Sequence, residues 1–374
     1  MDAQIAQQIA AIKAIDHHAH PAAGPGDQDY DALPVEMLEP QTDPVRLRPG
    51  KPLQPMTPVE VLDRAGIGQM IANRVSMNAA LPASRFLWVA YADALMYPFP
   101  TAPATHNPDQ KAFFALEESL LARYYKESSV TQRPASLDQY LTRVVLATIA
   151  RHKQGGAIGE KFEMAYLRSL DIGNPNHKDA EAAWRYGART EAQYRVLQDY
   201  IFHAIAVECG RLGLAVHFHT GAGAGGYYHV AGGNPLLLES VFNDPSLRQT
   251  NFVMVHGGFP FTGESLALLE KPNVYLDFSA REFMEAPSAL AQSIRAWLEF
   301  APEKVMFGTD AYPYDKAAGL GWEETAISAS QAAREALGVA LTAMLREGTV
   351  TPERAAELAA MVLRDNARRL YGLK

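Results

Sequence analysis

The second half of the chain contains Leu214-Ala-Val-His-Phe-His219, a short apolar run that ends at a histidine. Three similar runs follow it, Phe252-Val-Met-Val-His256, Asn273-Val-Tyr-Leu-Asp-Phe278 and Lys304-Val-Met-Phe-Gly-Thr309. Such runs, separated by stretches of helical character, are typical of parallel strands wrapped by helices. Polar residues at their ends (His219, His256, Asp277, Asp310) are 37, 21 and 33 positions apart, near the ~31 residues of one unit in an eight-unit barrel. The spacing predicts four consecutive βα units.

The first half of the chain adds four strand candidates, at residues 12–18, 68–76, 86–92 and 157–166. Eight strands in this order predict an α/β fold, a distorted (β/α)8 TIM barrel. Two stretches break the rhythm and are interpreted as insertions after the first and third strands, at 21–58 and 98–133. They would lie on the carboxyl side of the strands, where barrel enzymes build their pockets. Helices are predicted at 109–127, 136–153, 189–212, 286–300, 322–346 and 352–370.

Length and charge limit the class of protein. The 374 residues are 48% hydrophobic, enough for a core without disulfides, and α/β barrels run as one domain from roughly 200 to more than 400 residues. We therefore expect a single domain over 1–374. The net charge is −8 and the chain has no basic tract, which argues against a nucleic-acid surface and favours a small-molecule partner. An assembly of identical subunits is compatible with the sequence.

Cysteine usage and the amino terminus indicate a compartment. Cys209 is the only cysteine, so an internal disulfide and a CxxC metal knuckle are excluded. The first fourteen residues carry Asp2 and no basic residue before Lys13, unlike a secretory leader. No run of about 18 apolar residues follows. We expect a cytoplasmic protein with no membrane partner.

The segment Ile15-Asp-His-His18-Ala-His20 closes the first predicted strand. Residues two apart on a strand point to the same face, so His18 and His20 can both face the barrel mouth and hold one cation. Neutral imidazoles suit Zn²⁺, Fe²⁺ or Mn²⁺. Taken alone, this pattern also fits a polar turn that happens to be rich in histidine.

Three more ionisable residues lie at strand ends. His219, His256 and Asp310 end the fifth, sixth and eighth predicted strands, at the barrel face where catalytic groups are placed. Each alone fits a core histidine or a turn aspartate, but together with His18 and His20 they predict a metal site. His217 shares the strand face of His219 and is an alternative ligand.

Taken together, these motifs resemble a known family. The segments are Ile15-Asp-His-His18-Ala-His20, His219-Thr-Gly221, Val255-His256-Gly-Gly258, Gly308-Thr-Asp310 and Asn366-Ala-Arg-Arg-Leu-Tyr371. They are similar to the amidohydrolase superfamily, in the branch called amidohydrolase family 2. That branch includes aminocarboxymuconate semialdehyde decarboxylase and the amidohydrolase half of fungal glutamine-synthetase fusions. The resemblance spans nearly the whole chain in the right order.

The resemblance implies roles for particular residues. His18, His20, His219 and Asp310 would bind the metal, and His256 would be the adjacent acid/base residue. Lys161 falls on the fourth predicted strand, where binuclear relatives place a carboxylated lysine that bridges two metals. The residue also has a plainer interpretation, as a charged group that binds substrate or pairs with Glu163, and a mononuclear site is the default.

Two arginines are candidates for holding a substrate. Arg281 follows the seventh predicted strand and could bind a carboxylate with both guanidinium nitrogens, although it could equally be a surface arginine. Arg168, just past the fourth strand, is a weaker candidate. The run Gly221-Ala-Gly223-Ala-Gly225-Gly226 fits GxGxxG, but the glycine- and proline-rich sequence after it does not open a helix, so a mobile loop is favoured over a nucleotide site.

The ligand set predicts a hydrolase. A divalent metal, with Zn²⁺ first and Fe²⁺ or Mn²⁺ as alternatives, lowers the pKa of a bound water towards ~7. The resulting hydroxide would attack an amide, lactone or ester of a small anionic substrate, with His256 and Asp310 as catalytic residues. Asp16 would orient one imidazole. The alternatives are a metal-dependent decarboxylase or lyase of the same family, and a barrel that binds a ligand without turnover.

Overall fold

The computed structural model describes residues 1–24, 26–38, 53–314 and 320–373. One eight-stranded sheet follows the order of the chain from β1 to β8, with parallel pairing between neighbours such as β1 and β2 or β4 and β5. The strands are β1 (Ala14–Ala19), β2 (Ile67–Asn73), β3 (Phe86–Tyr91), β4 (Ala157–Phe162), β5 (Ala215–His219), β6 (Phe252–Val255), β7 (Val274–Asp277) and β8 (Val305–Met306).

Helices alternate with the strands. They are α1 (Ala3–Ala11), α2 (Pro58–Ala65), α3 (Pro108–Glu127), α4 (Leu137–Tyr140), α5 (Leu146–Gln154), α6 (His177–Tyr186), α7 (Glu191–Leu212), α8 (Glu239–Phe242), α9 (Thr262–Leu268), α10 (Arg281–Met284), α11 (Pro287–Phe300), α12 (Trp322–Arg346), α13 (Pro352–Ala360) and α14 (Asn366–Tyr371). Single π-helical segments at Leu141–Val145 and Met361–Asp365 join α4 to α5 and α13 to α14. No described helix has both the length and the apolar character needed to cross a membrane.

The chain segment around β8 returns to β1. The amide of His17 donates to the carbonyl of Phe307 at 2.9 Å, and the amide of Asp310 donates to the carbonyl of His18 at 2.8 Å. The amide of His20 donates to the carbonyl of Ala311 at 2.7 Å. Eight parallel strands whose last segment bonds to the first form a (β/α)8 barrel. The predicted fold class is confirmed.

Residue contacts divide the chain into two compact units. The first unit comprises residues 1–31, 42–88 and 254–374, and the second comprises 32–41 and 89–253. In the first unit, Arg334 of α12 donates to the carbonyls of Ile9, Ile12 and Gly66, at 2.6, 3.1 and 3.0 Å. One guanidinium thereby satisfies backbone groups at the ends of α1 and α2. The single-domain assignment over 1–374 stays a prediction.

Most predicted elements are found, with three kinds of difference. The fourth strand ends at Phe162 instead of residue 166, because the chain turns through a 3₁₀ segment at Met164–Tyr166. The eighth is only two residues long. The short helices α2, α6, α8, α9 and α10 were not predicted. The second insertion contains α3, whereas much of the first, residues 39–52 and Pro25, lies outside the described residues.

Candidate metal centre

Three potential ligand atoms meet in the first unit where β1 ends and the segment after β8 begins. His18 and His20 are 0% and 3% exposed, and their Nε2 atoms are 3.3 Å apart. Oδ1 of Asp310 lies 3.3 Å from Nε2 of His18 and 3.5 Å from Nε2 of His20. The alternation of β1 that the sequence predicted brings these residues together with one that follows 290 positions later in the chain.

The spacing of these three atoms suits a metal ion. A tetrahedral zinc with bonds of about 2.0–2.1 Å holds its ligand atoms roughly 3.3–3.4 Å apart, which matches the triangle of two nitrogens and one oxygen. Burial opposes ionisation of Asp310, but the bonds to His18 and His20 hold its pKa well below the usual range. An ionised carboxylate beside two imidazoles is the donor chemistry that a divalent transition metal requires. The residues therefore fit the metal that the sequence predicted.

Neighbouring groups set the orientation of both imidazoles. Nδ1 of His20 donates to the carbonyl of Tyr30 at 3.2 Å, which leaves Nε2 as the basic nitrogen. The side-chain amide of Asn73 lies 2.8 Å from Nδ1 of His18. The nearer atom is Nδ2 of Asn73, which donates to Nδ1 of His18, so a metal bound at Nε2 of His18 requires the amide to turn its oxygen to the ring. Partners of this kind fix the tautomer of metal-binding histidines.

His256 lies beside the ligand cluster, with its ring centroid 5.2 Å from that of His18. Its Nδ1 lies 3.1 Å from the carbonyl oxygen and 3.0 Å from the hydroxyl of Ser279. That hydroxyl donates to Oδ1 of Asp277 at 2.6 Å, so both Ser279 oxygens accept from Nδ1–H of His256. The neutral ring then carries its lone pair on Nε2. This is the arrangement of a histidine that accepts a proton and returns it.

Two consecutive hydrogen bonds link Asp277 to His17 and to Tyr371 in the protein interior. His17 donates from Nδ1 to Oδ2 of Asp277 at 2.7 Å, and the Tyr371 hydroxyl donates to Nε2 of His17 at 2.7 Å. Although burial raises the pKa of Asp277, the hydrogen bond from His17 is the first of the causes that hold it well below its usual range. Burial, together with the nearby Asp277 carboxylate and Tyr275, raises the pKa of Tyr371, so its hydroxyl remains a donor. These residues hold an ionised carboxylate beneath His256.

The backbone at this site is unusual. His256 and Asp310 have φ angles of 68° and 51°, and Ala280, next to Ser279, has a φ of 63°. Residues other than glycine rarely adopt this left-handed conformation, which costs of order 1–3 kcal/mol and tends to occur at functional sites. Two residues predicted to act in catalysis are thus held in unfavourable backbone conformations.

Asp16 differs from its predicted role. Its carboxylate accepts from the amide of Thr309 at 2.9 Å, from the Thr309 hydroxyl, and from the amide of His18 at 3.3 Å. It contacts no imidazole among the described residues. Burial raises the pKa of Asp16 to about 7, opposed by the bonds from Thr309. Asp16 therefore ties β1 to the segment that carries Asp310 instead of orienting a ligand ring, and the expectation was wrong on this point.

The remaining predicted ligands belong to the second unit. Nε2 of His219 donates to the carbonyl of Ala222 at 3.0 Å, and its ring lies 4.7 Å from the ring of Tyr166. His217 is fully buried. Lys161 is also fully buried, and its Nζ donates to Glu163 at 3.3 Å. The pairing named as an alternative for Lys161 is thus present, while the roles of Lys161 and His219 as ligands stay predictions.

Both predicted substrate arginines are anchored by protein groups. Arg281 is 1% exposed, bonds to Glu285 and Ser293, and packs over Phe259 and Trp297. Arg168 uses four of its five N–H groups on the protein, including one on Asp199 at 2.6 Å. Their roles in substrate binding stay predictions.

Several supporting residues escaped the sequence reasoning. Asn73, Ser279 and the pair formed by His17 and Asp277 were assigned no role, because their function depends on contacts between distant strands. The sequence did point to Tyr371, which ends the motif Asn366-Ala-Arg-Arg-Leu-Tyr371. The motif does not show which residue the Tyr371 hydroxyl contacts.

Comparison with known proteins agrees with this geometry. The amidohydrolase family profile Amidohydro_2 matches residues 15–373. The chain belongs to this amidohydrolase family. It is therefore an enzyme of the metal-dependent amidohydrolase superfamily, and the resemblance noted in the sequence is confirmed.

Individual relatives are distant. Protein fluG of Emericella nidulans is 28% identical over 233 residues, which are 58% of this chain and 26% of that protein, so this chain matches about a quarter of the curated relative. Among solved structures, a Lactobacillus casei protein regarded as a metal-dependent hydrolase has a TM-score of 0.61 at 17% identity, covering 98% of this chain and 97% of that one. Glucuronate isomerase from Caulobacter crescentus has a TM-score of 0.61 at 16% identity, covering 85% and 66%. These structures share the fold.

Proposed function

We propose that the protein is a metal-dependent hydrolase that uses a metal-activated water on an amide, lactone or ester bond of a small anionic substrate. The observation that carries this proposal is the triangle of Nε2 of His18, Nε2 of His20 and Oδ1 of Asp310, with sides of 3.3–3.5 Å. Zn²⁺ is the proposed metal because two imidazoles and one carboxylate at this spacing match its ligands. Fe²⁺ and Mn²⁺ are the alternatives.

The chemistry divides between the ion and the protein. A divalent ion in such a site supplies a nucleophilic water at neutral pH. Asp310, held ionised by His18 and His20, accepts a proton from the attacking water and passes it to the leaving group. His256 takes up a proton at Nε2 from solvent before the reaction, and this imidazolium is stabilised by the Asp277 carboxylate through Ser279. In that form Nε2–H donates to the oxyanion that develops on the substrate.

The alternative reaction is metal-dependent decarboxylation or another lyase reaction. The fold alone does not identify the reaction, because the same fold occurs in a protein regarded as a hydrolase and in a glucuronate isomerase. His256 could equally return its proton to carbon after loss of carbon dioxide. The two reactions differ in product, so a substrate panel decides between them.

The test begins with metal content. Elemental analysis of the purified protein is expected to find about one transition-metal ion per chain. The double change His18→Ala with His20→Ala should abolish binding and leave the protein folded, because the bonds that join both residues to the segment after β8 are made by their backbone. The matched control changes two exposed histidines, His106 and His177, to alanine and should keep the metal.

Outcomes of this test separate the possibilities. Unchanged metal in the double variant would refute the ligand assignment, and two ions per chain would favour a binuclear site that includes Lys161. Activity is then measured on dipeptides, γ-glutamyl amides, lactones and aromatic carboxylates. Release of carbon dioxide from the last group, without hydrolysis of the others, would replace the hydrolase proposal with the decarboxylase one.

A further inference from the structure

The second unit contains a cavity of about 250 Å³ above the ends of β3, β4 and β5. Its walls come from the segments that follow these strands and from α3 and α7. Tyr166 lines it and also packs its ring 4.7 Å from the ring of His219. The cavity therefore lies next to a predicted metal ligand, on the strand ends where barrel enzymes bind substrates.

Gln198 presents only a donor to this cavity. The residue is 4% exposed, and its Oε1 accepts from Nη1 of Arg168 at 2.9 Å. An arginine can only donate, so this bond fixes which end of the amide is oxygen. The Nε2 amino group has no protein partner within the described residues, and it is left to face the cavity that Gln198 lines. A buried amide without a partner is costly unless something else accepts its protons.

Asn107 and Arg195 add to the same pattern. Oδ1 of Asn107 accepts from the amide of Gln110 at 2.9 Å, as the N-cap of α3, so Nδ2 is the atom left over. Arg195 uses Nη2 on Asp171, which leaves Nε and Nη1. Both residues line the cavity. In all three side chains the other polar atoms are hydrogen-bonded to protein groups, and the remaining N–H groups are left for the cavity.

The charged residues around the cavity do not oppose the binding of a ligand with acceptor oxygens. Glu191 is the acidic residue of the lining, and it pairs with His106 at 3.3 Å. Arg168 and Arg195 line the wall and are paired with Asp199 and Asp171 behind it. The cavity therefore presents hydrogen-bond donors without a competing free carboxylate, a setting that favours a ligand rich in acceptor oxygens.

We infer that this cavity binds the carboxylate of a small organic anion, through Gln198, Asn107 and Arg195. The volume equals about eight waters at liquid density, so an anion of the size of succinate fits inside it. The further assignment of that anion as the non-reacting end of the substrate rests on the proposed function. The binding itself does not.

Titration calorimetry of the metal-loaded protein with succinate at neutral pH tests the binding. We expect saturable binding of succinate and none of succinamide, which has the same shape without the charge. Gln198→Glu keeps the acceptor for Arg168 but replaces the donor by an oxygen, and should weaken binding at least tenfold. Asn107→Asp keeps the helix cap, since aspartate caps as well as asparagine, and should act in the same direction.

Two controls make the result specific. Gln193→Glu adds the same charge to the same helix, at a partly exposed capping position outside the cavity lining, and should leave succinate affinity unchanged. The variant His18→Ala with His20→Ala should still bind succinate. Equal affinity of wild type and Gln198→Glu, equal binding of succinamide, or loss of binding in the histidine variant alone would each overturn the inference. A protein without metal that keeps succinate binding sensitive to Gln198 would refute the proposed function and leave the cavity assignment standing.

Discussion

His256 and Asp310 show what a single residue contributes to this site. Both have positive φ angles, and neighbouring groups hold them there: Asp277 accepts from the amide of His256 at 3.0 Å, and the amide of Asp310 bonds to β1. Because the strain costs of order 1–3 kcal/mol at each residue, the surrounding contacts must supply compensating stability. The conformations place both side chains beside His18.

Replacing His256 by asparagine should separate its catalytic role from metal binding. Asparagine tolerates a positive φ better than most residues, so the variant should fold and keep its metal. Turnover should fall by roughly 10²–10⁴-fold, the usual contribution of a general acid or base. Loss of metal in this variant would make His256 a ligand, and near-normal turnover would return it to a structural role.

The buried carboxyl of Asp93 predicts a dependence of stability on pH. Burial raises its pKa to about 7, although Lys161 and the amide of Glu163 act in the opposite direction. The folded state holds this proton up to a higher pH than the unfolded state, so stability falls as pH rises from about 4 to about 7. Asp93→Asn should be more stable than wild type at pH 8, by a few degrees in Tm, and similar to it near pH 4.

Thermal unfolding at several pH values checks this expectation. The exposed Asp179 serves as the control, because Asp179→Asn removes the same charge without burial. If Asp93→Asn and wild type lose stability in parallel between pH 4 and pH 8, the buried carboxyl is not the source of the dependence.

The sequence predicted the site residues whose place follows from their position along a strand. The alternation of His18 and His20 and the strand-end position of Asp310 predicted a cluster that the structure contains. Arg281 was less predictable, because the sequence cannot tell a mouth position from a buried one. Its packing between Phe259 and Trp297 depends on how α10 and α11 meet.

At the scale of elements, β1 carries functional groups on both faces. His18 and His20 lie on the face with Asp310, whereas His17 points the other way and contacts Asp277 of β7 and Tyr371 of α14. The carboxyl-terminal helix is therefore joined to the strand that supports His256. This link explains why a motif at the end of the chain accompanies the metal-binding motif at its beginning.

Replacing Tyr371 by phenylalanine should weaken this link. The ring would still stack on His17, 5.7 Å away, but Nε2 of His17 would lose its donor in a buried setting. We expect a loss of about 1–3 kcal/mol in the free energy of unfolding, measured with denaturant, and unchanged metal content. Tyr275→Phe in the same unit, at a partly exposed position, should have a much smaller effect. Equal effects of the two changes would contradict the role of the hydroxyl.

The elements themselves were predictable to different degrees. Long helices such as α12 and α7 follow from the sequence because many apolar residues repeat on one face, and α7 also has a capping box at Thr190 and a left-handed glycine at its end. Short ones do not: α9 has seven residues, too few for a periodic pattern to show. β8 has two residues, fewer than the apolar run at 304–309 that predicted it.

At the scale of the whole molecule, the first unit is built from both ends of the chain. Residues 1–31 and 254–374 contribute to it together, and the ligand cluster joins them through His18, His20 and Asp310. A metal bound there would connect segments that are far apart in the unfolded chain. Binding should therefore stabilise the unit as a whole.

Metal removal should lower the free energy of unfolding. A ligand at about 100 times its Kd stabilises the folded state by about 2.7 kcal/mol, so unfolding in Zn²⁺ and in chelator should differ by about this amount. The variant His18→Ala with His20→Ala should show no difference, while the control at His106 and His177 should behave as wild type. A chelator effect of the same size in the histidine variant would place the stabilising metal elsewhere.

The bond between Asp16 and Thr309 has a further consequence for how the enzyme is made. The two residues are 293 positions apart, and ribosomes add roughly 5–20 residues per second, so β1 waits roughly 15–60 s for the segment that follows β8. During that interval one edge of β1 has no partner from the segment after β8, and exposed strand edges invite aggregation. The two histidines on β1 also lack the carboxylate that completes their cluster. Under the proposed function, metal loading by this cluster is consequently expected to be a late event, which follows synthesis of the last strand.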